Sequence, residues 1–293
     1  MEFSFTNTIK RSTIKNLLSR HGVSRRMLAN VKYDGGKILV DGREESAIFR
    51  LKEGQKVIIQ VPDEVGNDKL DAFDAPLQIL FEDEHYLIVE KPAGLASIPG
   101  PNHPTGAMSN IVKSYIQKRG YANQAVHVIT RLDRDTSGIM FFAKHRYAHA
   151  LIMNDTYKDK VEKRYYAIVK DDGELEPKGE LVYPIGRQEG SIIERRVHPE
   201  GKKCLTTYEV AKQKNGLNLL DVVLHTGRTH QIRVHFSYIG YPLLGDELYG
   251  GNHDQIERQA LHCHHFEFLH PFINEKIKIE SELPEDMKKL LAD

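Results

Sequence analysis

Only two cysteines, Cys204 and Cys263, occur in the 293 residues, and they form no CxxC pair. No disulfide framework can be built from them, and a reducing cytoplasm is the expected setting. Tryptophan is absent, and no apolar run approaches the ~18 residues of a membrane span. The start, Met1-Glu2-Phe3-Ser4, lacks the apolar core of a secretory signal. Net charge is missing too, with 41 Lys+Arg against 41 Asp+Glu. A hydrophobic content of 40% and a charged content of 28% fit a soluble globular chain and exclude disordered, collagen-like and coiled-coil classes. The common chemistry motifs are absent: there is no GxGxxG, no P-loop, no HExxH and no GxSxG. At this length one large domain plus a small one is expected, because single cores stop growing near ~250–300 residues.

The charge is unevenly spread. Residues 1–60 hold 12 Lys+Arg and 6 Asp+Glu, whereas residues 61–90 hold 9 acids and one lysine. The basic segment has its own pattern. Thr13 can cap a helix carrying Ile14, Leu17 and Leu18, ended by His21-Gly22. Ser24 can cap a second helix with Met27, Leu28 and Val31 on one face. Gly35-Gly36 breaks the chain before the strand Lys37 to Val40, a turn at Asp41-Gly42 and a further strand at Val57 to Ile59. Two helices and a hairpin make a compact unit over residues 1–62. Residues 63–76 are acidic with little periodicity and read as a linker.

From Leu77 onward strands and helices alternate. Ile79 to Phe81, Tyr86 to Val89, Ile139 to Phe142, Tyr165 to Val169 and Leu217 to Leu224 are strand-like. Ile111, Val112, Tyr115 and Ile116 have helical spacing, as do Ile232, Phe236 and Ile239, the last helix ending at Gly240. The mixture predicts an α+β domain over 77–293 with a large, mostly antiparallel sheet. No amphipathic surface helix calls for a partner, so a monomer is expected.

Fifteen histidines invite a metal reading, above all in His262-Cys263-His264-His265. Neighbours on a strand point to opposite faces, and no second ligand pair lies at zinc-finger spacing. No metal site is expected. Two polar clusters stand out instead. Thr130-Arg131-Leu132-Asp133-Arg134-Asp135-Thr136-Ser137-Gly138 precedes an apolar strand and by itself would pass for a salt-bridged turn. The second runs from His225 to His235, where Arg233 lies off the apolar stripe and is free to face a cleft.

In this order the segments resemble the RluA-type (RluD-like) RNA pseudouridine synthases. Arg131-Leu132-Asp133-Arg134-Asp135-Thr136-Ser137-Gly138 looks like the family's signature. Glu90-Lys91-Pro92-Ala93-Gly94, Lys163-Arg164-Tyr165-Tyr166-Ala167, Pro184-Ile185-Gly186-Arg187, Thr226 to His235, Pro242 to Asp246 and Arg258 to His262 are similar as well. The family's usual histidine before Arg-Leu-Asp is here Thr130. The basic start, around Gly22 to Arg26 and Gly36 to Gly42, resembles an S4-type RNA-binding domain. The fold implied is a small S4-like αα-β domain followed by a pseudouridine-synthase catalytic domain. Its sheet would be large, mixed and mostly antiparallel, flanked by helices.

The resemblance implies isomerisation of uridine within RNA, with no cofactor. The N1–C1′ bond breaks, the base turns, and C5 bonds to C1′. A carboxylate beside the ribose can trap the cationic anomeric carbon or abstract a ribose proton to give a glycal, and both routes stay open. Asp133 aligns with that carboxylate, while Asp135 is assigned to holding the loop. Arg233 aligns with the basic partner of the carboxylate, Tyr165 with the active-site tyrosine, and Ile232 would pack under the base or ribose. Arg131 matches the arginine that fills the space left by a flipped uridine. Lys91, Arg187, Arg25, Arg26 and Lys37 are candidate RNA contacts. Large-subunit ribosomal RNA is the expected substrate, with tRNA as the alternative. A non-catalytic RNA-binding or ribosome-assembly protein is the rival reading.

Overall fold

The computed structural model describes residues 1–100 and 103–292. The N-terminal unit follows from its caps. The Thr13 hydroxyl accepts from Asn16 N at the start of Ile14–Arg20, and Ser24 accepts from Met27 N at the start of Arg25–Tyr33. The two helices cover a four-stranded sheet. In it Glu2–Thr6 and Lys37–Val40 flank Lys56–Gln60, and Arg43–Glu44 lies outermost. The strand Glu2–Thr6 is not among the elements expected from sequence, although Phe3 and Phe5 alternate there with polar residues.

Residues 61–76 carry no helix or strand, but they are strapped down. The backbone carbonyls of Asn67 and Leu70 accept from Lys113, and that of Asp71 accepts from Asn110. Glu64 is buried between His127 Nε2 at 3.0 Å and Arg146 Nε at 3.1 Å. Burial pushes its pKa up, but the hydrogen bonds and charges of His127 and Arg146 outweigh that and hold it at about 2. The basic unit is therefore docked. Tyr147 and Leu151 of the larger body enter its core, and the Tyr147 hydroxyl donates to the His21 carbonyl at 2.7 Å.

The larger body is built on a ten-stranded sheet. Its main path runs Lys178–Leu181, Thr206–Lys214, Leu217–Leu224, Glu162–Lys170, Leu261–Leu269, Ser137–Ala143, Tyr86–Lys91 and Gln78–Glu82. All these pairings are antiparallel except Ser137–Ala143 against Leu261–Leu269. The sheet is thus mixed and mostly antiparallel, as expected. Every residue of Ser137–Ala143 is buried. Ile139 and Phe141 face the core that holds Tyr165, Ile232 and Phe236, while Met140 and Phe142 pack on the helix Met108–Lys118. The terminal helix Glu285–Leu290 packs on the face that also holds Ile168.

Gly138 explains the glycine that closes the signature segment. It has φ +112°, and a Cβ there would lie 2.2 Å from the carbonyl oxygen of Cys263. Only a residue without a side chain lets the two parallel strands meet. That junction fixes where the preceding loop leaves the sheet.

Candidate active site

The loop ahead of Gly138 is held along its length. Thr130 exchanges backbone and side-chain contacts with Phe141, its hydroxyl accepting from Phe141 N at 3.0 Å. The residue in the family's usual histidine position thus closes the base of the loop. The Ser97 hydroxyl accepts from Leu132 N at 2.9 Å and donates to Leu132 O at 2.6 Å. Gln259 donates to the Thr136 hydroxyl, and Arg258 to the Asp135 carbonyl. The Asp135 carboxylate pairs with Arg134 at 3.0 Å and is turned away from the cavity.

Lys91 requires a correction. It was expected at the RNA surface, but it is fully buried. Its Nζ donates to the carbonyls of Pro92, Leu95 and Arg134 at 2.9, 2.6 and 2.7 Å. Three acceptors use all three ammonium hydrogens, so Lys91 holds the loop and has none left for phosphate. Burial pulls its pKa down to about 7, against the charges of Asp135 and Asp133.

Asp133 projects from this loop into a cavity of about 550 Å³, a size suited to a small ligand. Arg131, Tyr165, Ile232 and Arg233 line the same cavity, with Lys163, Arg228, Thr229 and His230. Ile232 and Tyr165 are buried in its floor, and Arg131 is exposed at its rim. Burial, joined by the neighbouring Cys263 thiol and the Asp133 charge, drives the Tyr165 pKa well up, so it enters as a neutral hydroxyl.

Arg233 lies on the helix Gln231–Tyr238 and is gripped from two sides. Its Nε and Nη2 donate to the two Asp246 oxygens at 2.7 and 2.8 Å, and its Nη1 donates to Asp133 Oδ2 at 3.1 Å. Burial alone would lower the arginine's pKa, but Asp246 and then Asp133 raise it above its ordinary value. The Tyr249 ring lies beneath the guanidinium at 5.0 Å. His230 opens that helix at φ +57°, with Nδ1 at 2.8 Å from the Tyr249 hydroxyl and Nε2 at 3.9 Å from Asp133 Oδ1. Burial lowers its pKa, against the pull of Asp133.

Sequence reasoning assigned no role to Asp246, His230 or Tyr249. A signal for Asp246 existed in the glycine before it. Gly245 has φ +75°, and a Cβ there would lie 2.0 Å from Arg258 O, so a tight turn is built to aim the next residue inward.

The other expected contacts lie outside the cavity. Arg187 is exposed on a hairpin of Ile185–Arg187 with Arg195–Val197, and Ile185 packs against Val234 of the arginine-bearing helix. Arg25, Arg26 and Lys37 are exposed on the N-terminal unit. The histidine run is structural: His262 bonds Ser137 and Ser281, and His264 stacks on Tyr166 at 3.6 Å. Among the described residues no group of three or more His, Cys, Asp or Glu could hold a metal ion, and no helix is long and apolar enough to cross a membrane.

The family description "RNA pseudouridylate synthase" matches residues 85–238. The chain is 43% identical over 279 residues to a Bacillus subtilis protein named as the uncharacterized RNA pseudouridine synthase YjbO, covering 95% of this chain and 98% of that one. It is 35% identical over 287 residues to the ribosomal large subunit pseudouridine synthase D of Pseudomonas aeruginosa, covering 92% and 87%. A solved human structure, RNA pseudouridylate synthase domain containing 4, shares the fold with a TM-score of 0.59 at 21% identity, over 73% of this chain and 91% of that one. The chain belongs to the RNA pseudouridine synthase family.

Proposed function

We propose that this enzyme converts uridine to pseudouridine in large-subunit ribosomal RNA, with Asp133 as the reacting carboxylate. The observation that carries the site assignment is the 3.1 Å contact between Arg233 Nη1 and Asp133 Oδ2 inside the cavity floored by Tyr165 and Ile232. The guanidinium fixes the direction of the carboxylate, while Asp246 keeps the guanidinium from following Asp133. Asp133 either bonds to C1′ or takes a ribose proton as the glycosidic bond breaks. Tyr165 stacks on the freed uracil, with its hydroxyl near C5. Ile232 packs beneath the base or ribose. Arg131, exposed at the rim, fills the place of the flipped uridine.

The choice of ribosomal RNA rests on relatives named for the large ribosomal subunit. Residues 1–62 act as an S4-like RNA-binding domain, 63–76 as the connecting segment and 77–293 as the catalytic domain. Arg25, Arg26 and Lys37, together with Arg187, are exposed cations suited to backbone phosphates.

Release of tritium from RNA labelled at uracil C5 tests this reading. Asp133→Asn should abolish release, and Asp135→Asn should retain it. Release from tRNA and not from ribosomal RNA would overturn the substrate assignment. Release surviving in Asp133→Asn would overturn the choice of carboxylate.

A further inference from the structure

The strand Glu162–Lys170 sends two side chains into the cavity, Tyr165 and, two residues earlier, Lys163. Arg164 and Tyr166 turn to the other face, onto Asp221 and His264. Among the described residues Lys163 makes no hydrogen bond and no ion pair. Its electrostatic neighbours are the Cys263 thiol and the Lys158 ammonium. Burial pushes that thiol up to about 12, so it is neutral and offers no counter-charge. Across the cavity wall stands Gly227, where an added Cβ would lie 3.7 Å from Lys163 Nζ.

A largely desolvated ammonium without a partner is costly, and burial accordingly lowers the pKa of Lys163. The other lysines and arginines lining the cavity are committed or outlying. Arg233 is held by two aspartates, Arg134 by Asp135, and Arg131 and Arg228 are exposed at the rim. Lys163 is the inner cation with its donors unused, and it shares a face with the tyrosine under the base.

The reaction creates a need for such a group. When the N1–C1′ bond breaks, its electron pair stays on N1. Uracil then carries one negative charge, spread over N1, O2 and O4. Asp133 gives up its own charge in the same step, by bonding to C1′ or by gaining a ribose proton, so both routes leave a uracil anion. Uracil also has a near two-fold axis through N3 and C6, which exchanges N1 with C5 and O2 with O4. One fixed donor can therefore hold one carbonyl before the base turns and the other afterwards. C5 then bonds to C1′ and loses its proton, Asp133 leaves C1′ or returns its proton to the ribose, and N1 gains a proton, so the product is an isomer.

We propose that Lys163 donates to a carbonyl oxygen of the target uracil and stabilises the detached uracil anion, a role that rests on the isomerase reading of Asp133 above. The same donor disfavours cytidine, whose amino group would meet the ammonium in place of O4.

Single-turnover tritium release from C5-labelled total RNA of cells lacking the enzyme tests the proposal. Lys163→Gln and Lys163→Met should lose about 100-fold in rate, the usual effect of removing one preorganised donor from developing negative charge. RNA affinity should stay within about threefold, and Lys163→Arg should recover most of the rate. A Gln variant within about threefold of wild type in rate overturns the role. So does a loss that lies wholly in RNA affinity, or one shared equally by Lys163→Arg. If Lys163→Met melts early, the Gln and Arg variants decide, since both keep a polar side chain. Asp133→Asn run alongside separates the two readings. Its retained activity would overturn both, whereas an inactive Asp133→Asn beside an active Lys163→Gln overturns only the lysine's role.

Discussion

Asp246→Asn should be more damaging to folding than loss of the reacting carboxylate itself. Asp246 is 1% exposed and receives two hydrogen bonds from Arg233 at 2.7 and 2.8 Å. Removing one partner of a buried ion pair costs about 3–5 kcal/mol. Asparagine keeps one acceptor oxygen, worth about 1 kcal/mol, which leaves a loss of about 2–4 kcal/mol. At about 2–4 °C per kcal/mol for a chain of this size, the melting temperature should fall by roughly 4–16 °C. The Asp133 side chain is 27% exposed and makes a single contact with Arg233, so Asp133→Asn should cost under about 1 kcal/mol. The Asp246→Asn variant should also lose about 100-fold in tritium release well below its melting point, because Arg233 can then swing and take Asp133 with both nitrogens. Thermal unfolding of both variants, followed by single-turnover release at a temperature where each is folded, makes the comparison. Melting of Asp246→Asn within about 2 °C of wild type would refute the anchoring argument, as would a larger loss in Asp133→Asn.

Two other perturbations address the frame of the site. Glu64 titrates at about 2 in the fold against an ordinary 4.5, so its stabilisation is present above pH ~4.5 and lost as pH falls toward 2. That difference is worth about 3 kcal/mol, and Glu64→Gln should flatten the fall of melting temperature between pH 5 and about 2.5; an acid limb as steep as in wild type would argue against it. Gly138→Ala forces a Cβ to 2.2 Å from Cys263 O at φ +112°, and a loss above about 3 kcal/mol is expected in denaturant unfolding. Wild-type stability there would contradict the parallel pairing of residues 137 and 138 with 262 and 263.

Much of the local architecture is legible in the chain. Thr13 and Ser24 announce their helices because a capping hydroxyl acts within three residues. Ile139 to Phe142 reads as a buried strand because both faces of the sheet are covered there. The offset of Arg233 from the apolar stripe points it at a cleft, and the structure brings it to Asp133, one hundred residues away. What escapes is whatever depends on acceptors without a side-chain signature. Lys91 looks like any basic residue near a signature loop, yet three backbone carbonyls consume it. The strap at 61–76 looks like a free connector because its backbone carbonyls are taken by Asn110 and Lys113, and its one buried carboxylate, Glu64, by His127 and Arg146, all distant in the chain.

The same reasoning explains why arginine, lysine and aspartate play such unequal parts in one small volume. Arg233 has enough donors in a fixed plane to satisfy Asp246 fully and still offer one N–H to Asp133. A lysine there would have to choose between the two carboxylates. Asp246 is sealed and saturated, so it serves as the fixed point; Asp133 keeps one free edge and partial exposure, so it can react. Lys91 holds the loop from beneath through Arg134 O, and Ser97 does the same through both polar groups of Leu132. The reacting carboxylate is therefore positioned by neighbours that are themselves buried and fully bonded, and its own bonding is left incomplete on the side where the ribose must come.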